Sequence, residues 1–303
     1  MGPGPRRRPE ASPRISGPAL RVTAYAKINL TLEVLGRRED GYHEVKTILQ
    51  TVDLADVLDV DHAPTLKVQC NVPHLNGSAN LVWRAARELA ATQAMSPQAR
   101  IFIRKGIPES MGLGGGSSDA AAALLALNRL WGLGLSLDEL AGLAAGLGAD
   151  VPFFLRGGTA LAEGRGEQAS FLPPLPGWPV LLLCPSITLE DKTRRLYSRI
   201  SPAHYSDGGI TRRMLEILMS GRFVVDYGYN VFEAVAFQEF PGLDREYRRL
   251  AEVSGSRPHL SGAGPALFCV PRGEDEGRRI VKALQGEGHR AYLVHAIMPQ
   301  PVV

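Results

Sequence analysis

The hydrophobic pattern becomes regular at the stretch LRVTAYAKINLTLEVLG, where apolar and polar positions alternate and β-branched residues are frequent. This predicts two strands separated by a break near Lys27, with ordered sequence starting near Ala19. Asp40-Gly41 in RREDGYHEV is a turn signal, and TILQTVDLADVLDVD and LKVQCNV read as further strands. Asn80 stands where it can cap a helix over LVWRAARELAATQA, which stops before Ser96-Pro97. RIFIRKGIP reads as a strand ending at Pro108, the glycine-rich loop follows at once, and SSDAAAALLALNRLWG carries a helical period up to Gly132. Ser136 and Glu139 have capping-box spacing ahead of a further helix. The proline-dense stretch FLPPLPGWP predicts a boundary near residues 168–178. Beyond it come a short buried strand (VLLLCP), helices over TRRMLEILMSG and LDREYRRLAEVSG, a loop feeding a strand in HLSGAGPALFCVP, a helix in EDEGRRIVKALQGEG and a final strand in AYLVHAIMP. Strands and helices mix in both halves without strict βαβ repetition, which predicts an α+β fold.

Composition narrows the class. At 303 residues, 45% hydrophobic and 21% charged, the chain can bury a sizeable core. A formal net charge of +3, with basic residues spread along the chain, gives no reason to expect nucleic acid or an anionic membrane as partner. No apolar run is long enough to span a bilayer. The Pro-, Gly- and Arg-rich residues 1–18 lack an apolar core segment and read as a disordered tail. Three cysteines, Cys70, Cys184 and Cys269, lie far apart; an odd count argues against a disulfide framework and suits a reducing cytoplasm. The seven histidines form no metal-ligand spacing, so no protein-built metal site is expected.

The candidate chemistry begins at PESMGLGGGSSDAAAAL, residues 108–124. A P-loop needs a Lys after its last glycine, and none is present; a dinucleotide fingerprint needs a glycine where Ser117 stands. The general physics remains. Glycines let backbone N–H groups converge on one point, and a helix N-terminus adds free N–H groups and partial positive charge. Ser117 and Ser118 could cap that helix or touch a phosphate oxygen. The loop by itself fits an anion site or a tight glycine-rich turn.

Three segments in order, AYAKINL, PESMGLGGGSSDAA and LSGAGPALF, resemble the motifs of the GHMP kinases, the family of galactokinase, homoserine kinase and mevalonate kinase. The resemblance implies a two-domain GHMP kinase fold: a ribosomal protein S5 domain 2-like N-terminal domain over residues 19–168 and a ferredoxin-like α/β C-terminal domain over residues 169–303. DGYH, GGGSSDAA, GADVPFF and NVFE together are similar to one branch of that family, and the similarity covers nearly all of the chain beyond the tail. That branch transfers the γ-phosphate of ATP, with Mg²⁺, to the 2-hydroxyl of 4-diphosphocytidyl-2-C-methyl-D-erythritol, in the non-mevalonate route to isoprenoid precursors. A catalytically silent nucleotide-binding homologue, or a GHMP kinase for another small alcohol, is the alternative. A monomer is favoured over a homodimer.

The same resemblance implies roles residue by residue. Asp150, in GADVP, is the general base and Lys27 its electrostatic partner; Asp150 also suits a helix start ahead of Val151-Pro152. A Lys in an apolar strand stands out in a chain with six lysines. Asn29, two residues on, faces the same side and contacts a substrate hydroxyl. Pro108, Met111, Gly112, Leu113, Gly114, Gly115, Gly116, Ser117 and Ser118 form the phosphate loop, with Lys105, Asn80 and Leu81 lining the adenosine pocket. Tyr42 stacks on the cytosine and His43 bonds its polar edge. Thr193 and Tyr197 have the spacing of the segment that closes the base sandwich, although PSITLEDKTRRLY departs from the usual pattern. Ser261, Gly262 and Gly264 contact phosphate from the other domain.

Overall fold

The computed structural model describes residues 20–175, 177–221 and 228–299. The tail expected at residues 1–18 lies outside them. Two sheets organise the chain. The first contains β1 (Leu20–Arg37), β2 (His43–Asp61), β3 (Lys67–Cys70), β4 (Arg100–Arg104), β5 (Thr159–Glu163), β6 (Gln168–Phe171) and the short β8 (Tyr229–Asn230). The second contains β7 (Pro179–Leu183), β9 (His259–Leu260), β10 (Leu267–Cys269) and β11 (Ala291–His295), in the order β11-β7-β10-β9, all antiparallel.

The two strands expected around Lys27 are one strand. β1 runs unbroken from Leu20 to Arg37 and pairs antiparallel with β2 along its length, with register shifts between Tyr25 and Ala26, between Asn29 and Thr31, and between Val34 and Gly36. The irregularity expected near Lys27 therefore takes the form of register shifts on either side of it, which re-aim a strand without ending it. Lys27 itself stays opposite Thr51, and its N–H, turned away from β2, donates to the Leu113 carbonyl of the glycine loop (3.0 Å).

Helices α1 (Leu81–Thr92), α2 (Gly115–Leu130) and α3 (Leu137–Leu147) cover one face of the first sheet. Asn80 caps α1 through Val82 N–H at 2.9 Å, and Ser136 with Glu139 forms the capping box of α3, as the sequence predicts. Ala120, Ala121, Ala123 and Ala126 of α2 are fully buried, so small side chains bring that helix close against the strands. Ile48, Leu49, Leu58, Ile101 and Ile103 are fully buried too, and each such side chain contributes about 1.5–3 kcal/mol of hydrophobic stabilisation.

β6 pairs with β5, so the boundary expected at residues 168/169 falls inside a strand and the chain leaves the first sheet after Phe171. After β7 come α5 (Lys192–Arg199) and α6 (Gly209–Met219); β8 then pairs parallel with β1, returning the chain to the first sheet. Helices α7 (Glu233–Glu239), α8 (Leu243–Ser254) and α9 (Glu274–Gly286) complete the second half. The final strand β11 joins β7 in the second sheet, and a bridge between Val52 and Ala296 ties its end back to β2. Cys70, Cys184 and Cys269 are free and buried, and burial pushes the Cys184 thiol up to about 12 and Cys269 to about 11.

Candidate active site at the junction of two glycine loops

The glycine loop starts α2 differently from the sequence expectation. Gly114, at φ 74 and ψ 13, is the N-cap, and no side chain caps the helix. Gly115, Gly116, Ser117 and Ser118 are already helical, so neither serine caps. A left-handed residue costs glycine nothing. The first-turn N–H groups of α2 then point out of the helix without intrahelical acceptors, at the positive end of its dipole. Ser117 is half-buried beside them, whereas Ser118 is buried with its N–H donating to Gly114 O at 2.9 Å.

The second glycine motif packs directly on the first. Ala266 N–H donates to Met111 O (3.1 Å) and the Ser261 hydroxyl to Gly112 O (3.1 Å). Asn230, in NVFE, donates from Nδ2 to both Leu260 O and Gly262 O at 2.8 Å, which fixes the second loop against β8. The fit leaves little or no room for a side chain at three glycines. A Cβ on Gly112 would overlap Ser261 O, one on Gly114 would lie 2.6 Å from Phe154, and one on Gly262 would lie 3.0 Å from Lys27 Nζ.

Lys27 occupies this junction, 3% exposed. Its Nζ donates to Asn29 Oδ1 (2.6 Å) and lies 3.7 Å from Asp150 Oδ2. Asn29 in turn donates from Nδ2 to Thr47 Oγ1 (2.9 Å), so its amide orientation is set from both ends. Burial pulls the Lys27 ammonium below its ordinary value, and Asp150 opposes that pull. Asp150 stands at the N-terminus of α4 (Val151–Phe154), but its side chain caps nothing. Its carboxylate is half-exposed and faces Lys27.

Around His43 a second group forms. The Tyr197 ring lies flat on the His43 ring, with centroids 5.0 Å apart at 16°, and Tyr205 meets His43 edge-on at 6.3 Å. Burial, with Arg37 nearby, lowers the imidazole below its ordinary value and favours the neutral ring. Tyr42 stands apart on the turn, 58% exposed, with the Arg165 guanidinium 5.1 Å from its ring centre. Thr193 is exposed in the first turn of α5.

Lys105 enters a buried cluster of charges beside the glycine loop. Its Nζ sits between Asp56, a fully buried carboxylate, and Asp119 on α2 (2.7 Å). Asp56 also accepts from Gly106 N–H (2.6 Å) and Ile107 N–H (2.8 Å), so this cluster anchors the chain entering the glycine loop. Burial, reinforced by Asp56, pushes Asp119 up to about 7 against the pull of Lys105. The unfolded chain loses this proton near its ordinary pKa of about 4, so Asp119 stabilises the fold fully below that value. The contribution is lost as pH rises through about 7. Asp119→Asn is expected to flatten the decline in urea midpoint over that window; an unchanged slope would remove Asp119 as its source. Asn80 uses both ends of its amide locally, accepting from Val82 N–H and donating to Leu75 O (2.8 Å), and Leu81 packs on the first core. Pro108 is half-buried at the entry to the loop.

Sequence reasoning passed over Lys192. It begins α5, is half-buried, and its Nζ donates to the Gly264 carbonyl of the second glycine motif. The scarcity of lysine was the available signal. Of six, Lys27, Lys105 and Lys192 converge on the glycine loops, while Lys67 and Lys282 are exposed and Lys46 pairs with Glu163.

Residues 80–158 match the family described as GHMP kinases N terminal domain. A 4-diphosphocytidyl-2-C-methyl-D-erythritol kinase of Dehalococcoides mccartyi is 40% identical over 281 residues, covering 92% of this chain and 99% of that protein. One from Listeria monocytogenes is 38% identical over 278 residues, covering 90% and 94%. The chain belongs to the 4-diphosphocytidyl-2-C-methyl-D-erythritol kinase family. A crystal structure of a 4-(cytidine 5'-diphospho)-2C-methyl-D-erythritol kinase superposes with a TM-score of 0.78 at 36% identity, covering 92% of this chain and 99% of that one. Homoserine kinase from Cytophaga hutchinsonii, at a TM-score of 0.73 and 16% identity, shares the fold. The expected α+β GHMP kinase architecture with two sheets is thus the observed one.

Proposed function

We propose that this chain transfers the γ-phosphoryl group of ATP to the 2-hydroxyl of 4-diphosphocytidyl-2-C-methyl-D-erythritol. The observation that carries the reading is the Lys27–Asp150 pair, 3.7 Å apart at the meeting of two glycine loops and facing the N-terminus of α2. Family membership at 40% identity supplies the substrate.

The triphosphate of ATP lies against the first-turn N–H groups of α2, where backbone donors and the helix dipole favour negative charge. The glycine residues let it come that near. Asp150 accepts the proton of the attacking hydroxyl, and the Lys27 ammonium meets negative charge on the transferred group. Asn29, held by Lys27 and Thr47, orients the acceptor hydroxyl. The loose character of phosphoryl transfer leaves positioning and charge complementarity as the protein's main contributions.

The donor set suits a magnesium ion carried largely by the nucleotide. Among the described residues no group of three His, Cys, Asp or Glu side chains could enclose a metal, while the Ser117 hydroxyl stands in the first turn of α2. When bound, magnesium neutralises phosphate oxygens. The cytosine enters beside His43 and Tyr197. A neutral imidazole bonds its polar edge, and the exposed Tyr42 closes over its face.

The test is a coupled assay with purified protein, ATP, Mg²⁺ and the cytidyl diphospho-alcohol. ADP release that depends on the alcohol is expected. Folded protein that binds ATP but releases no ADP supports the silent-homologue reading, and turnover with a different small alcohol alone would overturn the substrate assignment.

A further inference from the structure

Lys192 has a setting that a surface lysine lacks. Its ammonium donates to Gly264 O in the loop that packs on Gly112, and so sits at the same junction as Lys27. Lys27 has Asp150 within ion-pair distance; among the described residues Lys192 pairs with no carboxylate. Burial first, and the Lys27 charge second, pull Lys192 down to about 7. Two ammonium groups lie against one glycine motif, and the one half-exposed carboxylate there, Asp150, faces Lys27 alone, which leaves the junction short of negative charge. Buried charge is costly unless it is paired. An anion between the two would supply the missing charge and restore the protonated form of Lys192.

We propose that Lys192 is a second cationic contact to the phosphoryl group in transfer, acting from the side of the second glycine motif opposite the N-terminus of α2. The inference rests on the kinase reading above. In the transition state negative charge spreads over the equatorial oxygens of the transferred group. Lys27 reaches that group from β1, α2 from its N–H groups, and Lys192 from α5. Because α5 also carries Tyr197, which stacks on His43, the same helix couples the base pocket to the reacting phosphoryl. A cation placed there counts more in transfer than in ground-state binding, because it meets charge that spreads as the bond breaks.

The experiment compares wild type with Lys192→Gln and Lys192→Arg. For Lys192→Gln, kcat is expected to fall by about 10–100-fold, with the KM of ATP and of the cytidyl substrate each changing less than about threefold. ADP with aluminium fluoride, a mimic of the transferred phosphoryl, should bind at least about tenfold more weakly to Lys192→Gln, while ADP alone binds as before. Lys192→Arg, which keeps the charge on a differently shaped head, should recover part of the loss. A rise confined to the KM of the cytidyl substrate would overturn the proposal by placing Lys192 on the substrate's own diphosphate. Equal weakening of ADP and of ADP–aluminium fluoride would overturn it too, as would loss of thermal stability in both variants, which would make the Gly264 contact purely structural. The fluoride measurement needs no acceptor alcohol, so its result stands apart from whether the substrate assignment holds.

Discussion

Asp150→Asn is expected to lower kcat by about 10²–10⁴-fold, the range that loss of a positioned general base produces. The KM of ATP should stay within about threefold of wild type, because no part of the phosphate loop involves this carboxylate. Stability should fall only modestly. The Asp150 side chain caps no helix N–H and is half-exposed, but the buried Lys27 ammonium loses its carboxylate partner and keeps only the Asn29 hydrogen bond. The 3.7 Å separation from Lys27 makes this a loose ion pair, beside which an acceptor hydroxyl can contact both groups. Asn keeps the size and one acceptor oxygen but cannot take the proton. A kcat within about tenfold of wild type, in steady-state assays at saturating substrates, would show that the hydroxyl proton leaves by another route and that Asp150 serves binding.

Much of this arrangement is legible in the chain, for reasons that differ by residue. Asn80 and the Ser136–Glu139 box could be read because capping is local chemistry within four residues. The spacing of Thr193 and Tyr197 singled out a segment whose Tyr197 ring lies on His43. The break near Lys27 was visible as an irregularity, but a bulge and a chain break give the same apolar pattern over a few residues. The start of α2 was misjudged because Ser117 and Ser118 are good caps by type, yet Gly114 can turn left-handed at no steric cost and so begins the helix one turn earlier. The Asp56–Lys105–Asp119 cluster joins β2, the end of β4 and α2 across up to 63 positions, and no local pattern marks it. For the same reason Lys192 could not be assigned from LEDKTRRLY. Its partner, Gly264, is 72 residues away.

Gly112→Ala should be the most destabilising single methyl addition at the site. Gly112 has φ +81, a region that alanine enters at a cost of about 1–2 kcal/mol. Its new Cβ would overlap the Ser261 carbonyl and lie 2.9 Å from Gly264 N, both backbone atoms with no rotamer by which to move aside. Relief therefore requires the two glycine loops to separate, breaking the Ser261–Gly112 and Ala266–Met111 hydrogen bonds that join them. The summed cost is about 3–5 kcal/mol, read as a fall in urea midpoint at unchanged slope. Catalysis should fail as well, since separation carries Gly262 and Gly264 away from Lys27. Gly116→Ala is the control in the same loop. Gly116 is exposed, lies in the first turn of α2, and an added Cβ there meets nothing within 4 Å. It should be neutral or stabilise by up to about 1 kcal/mol, as alanine does at a compatible helical position. If Gly112→Ala and Gly116→Ala unfold at the same midpoint, the close approach of the two loops is not what the fold depends on, and the glycines serve ligand access alone. If only Gly112→Ala falls, the loop proposed to receive phosphate is also the joint between the two glycine motifs, and the distance between Lys27 and the second motif is set by the absence of one methyl group.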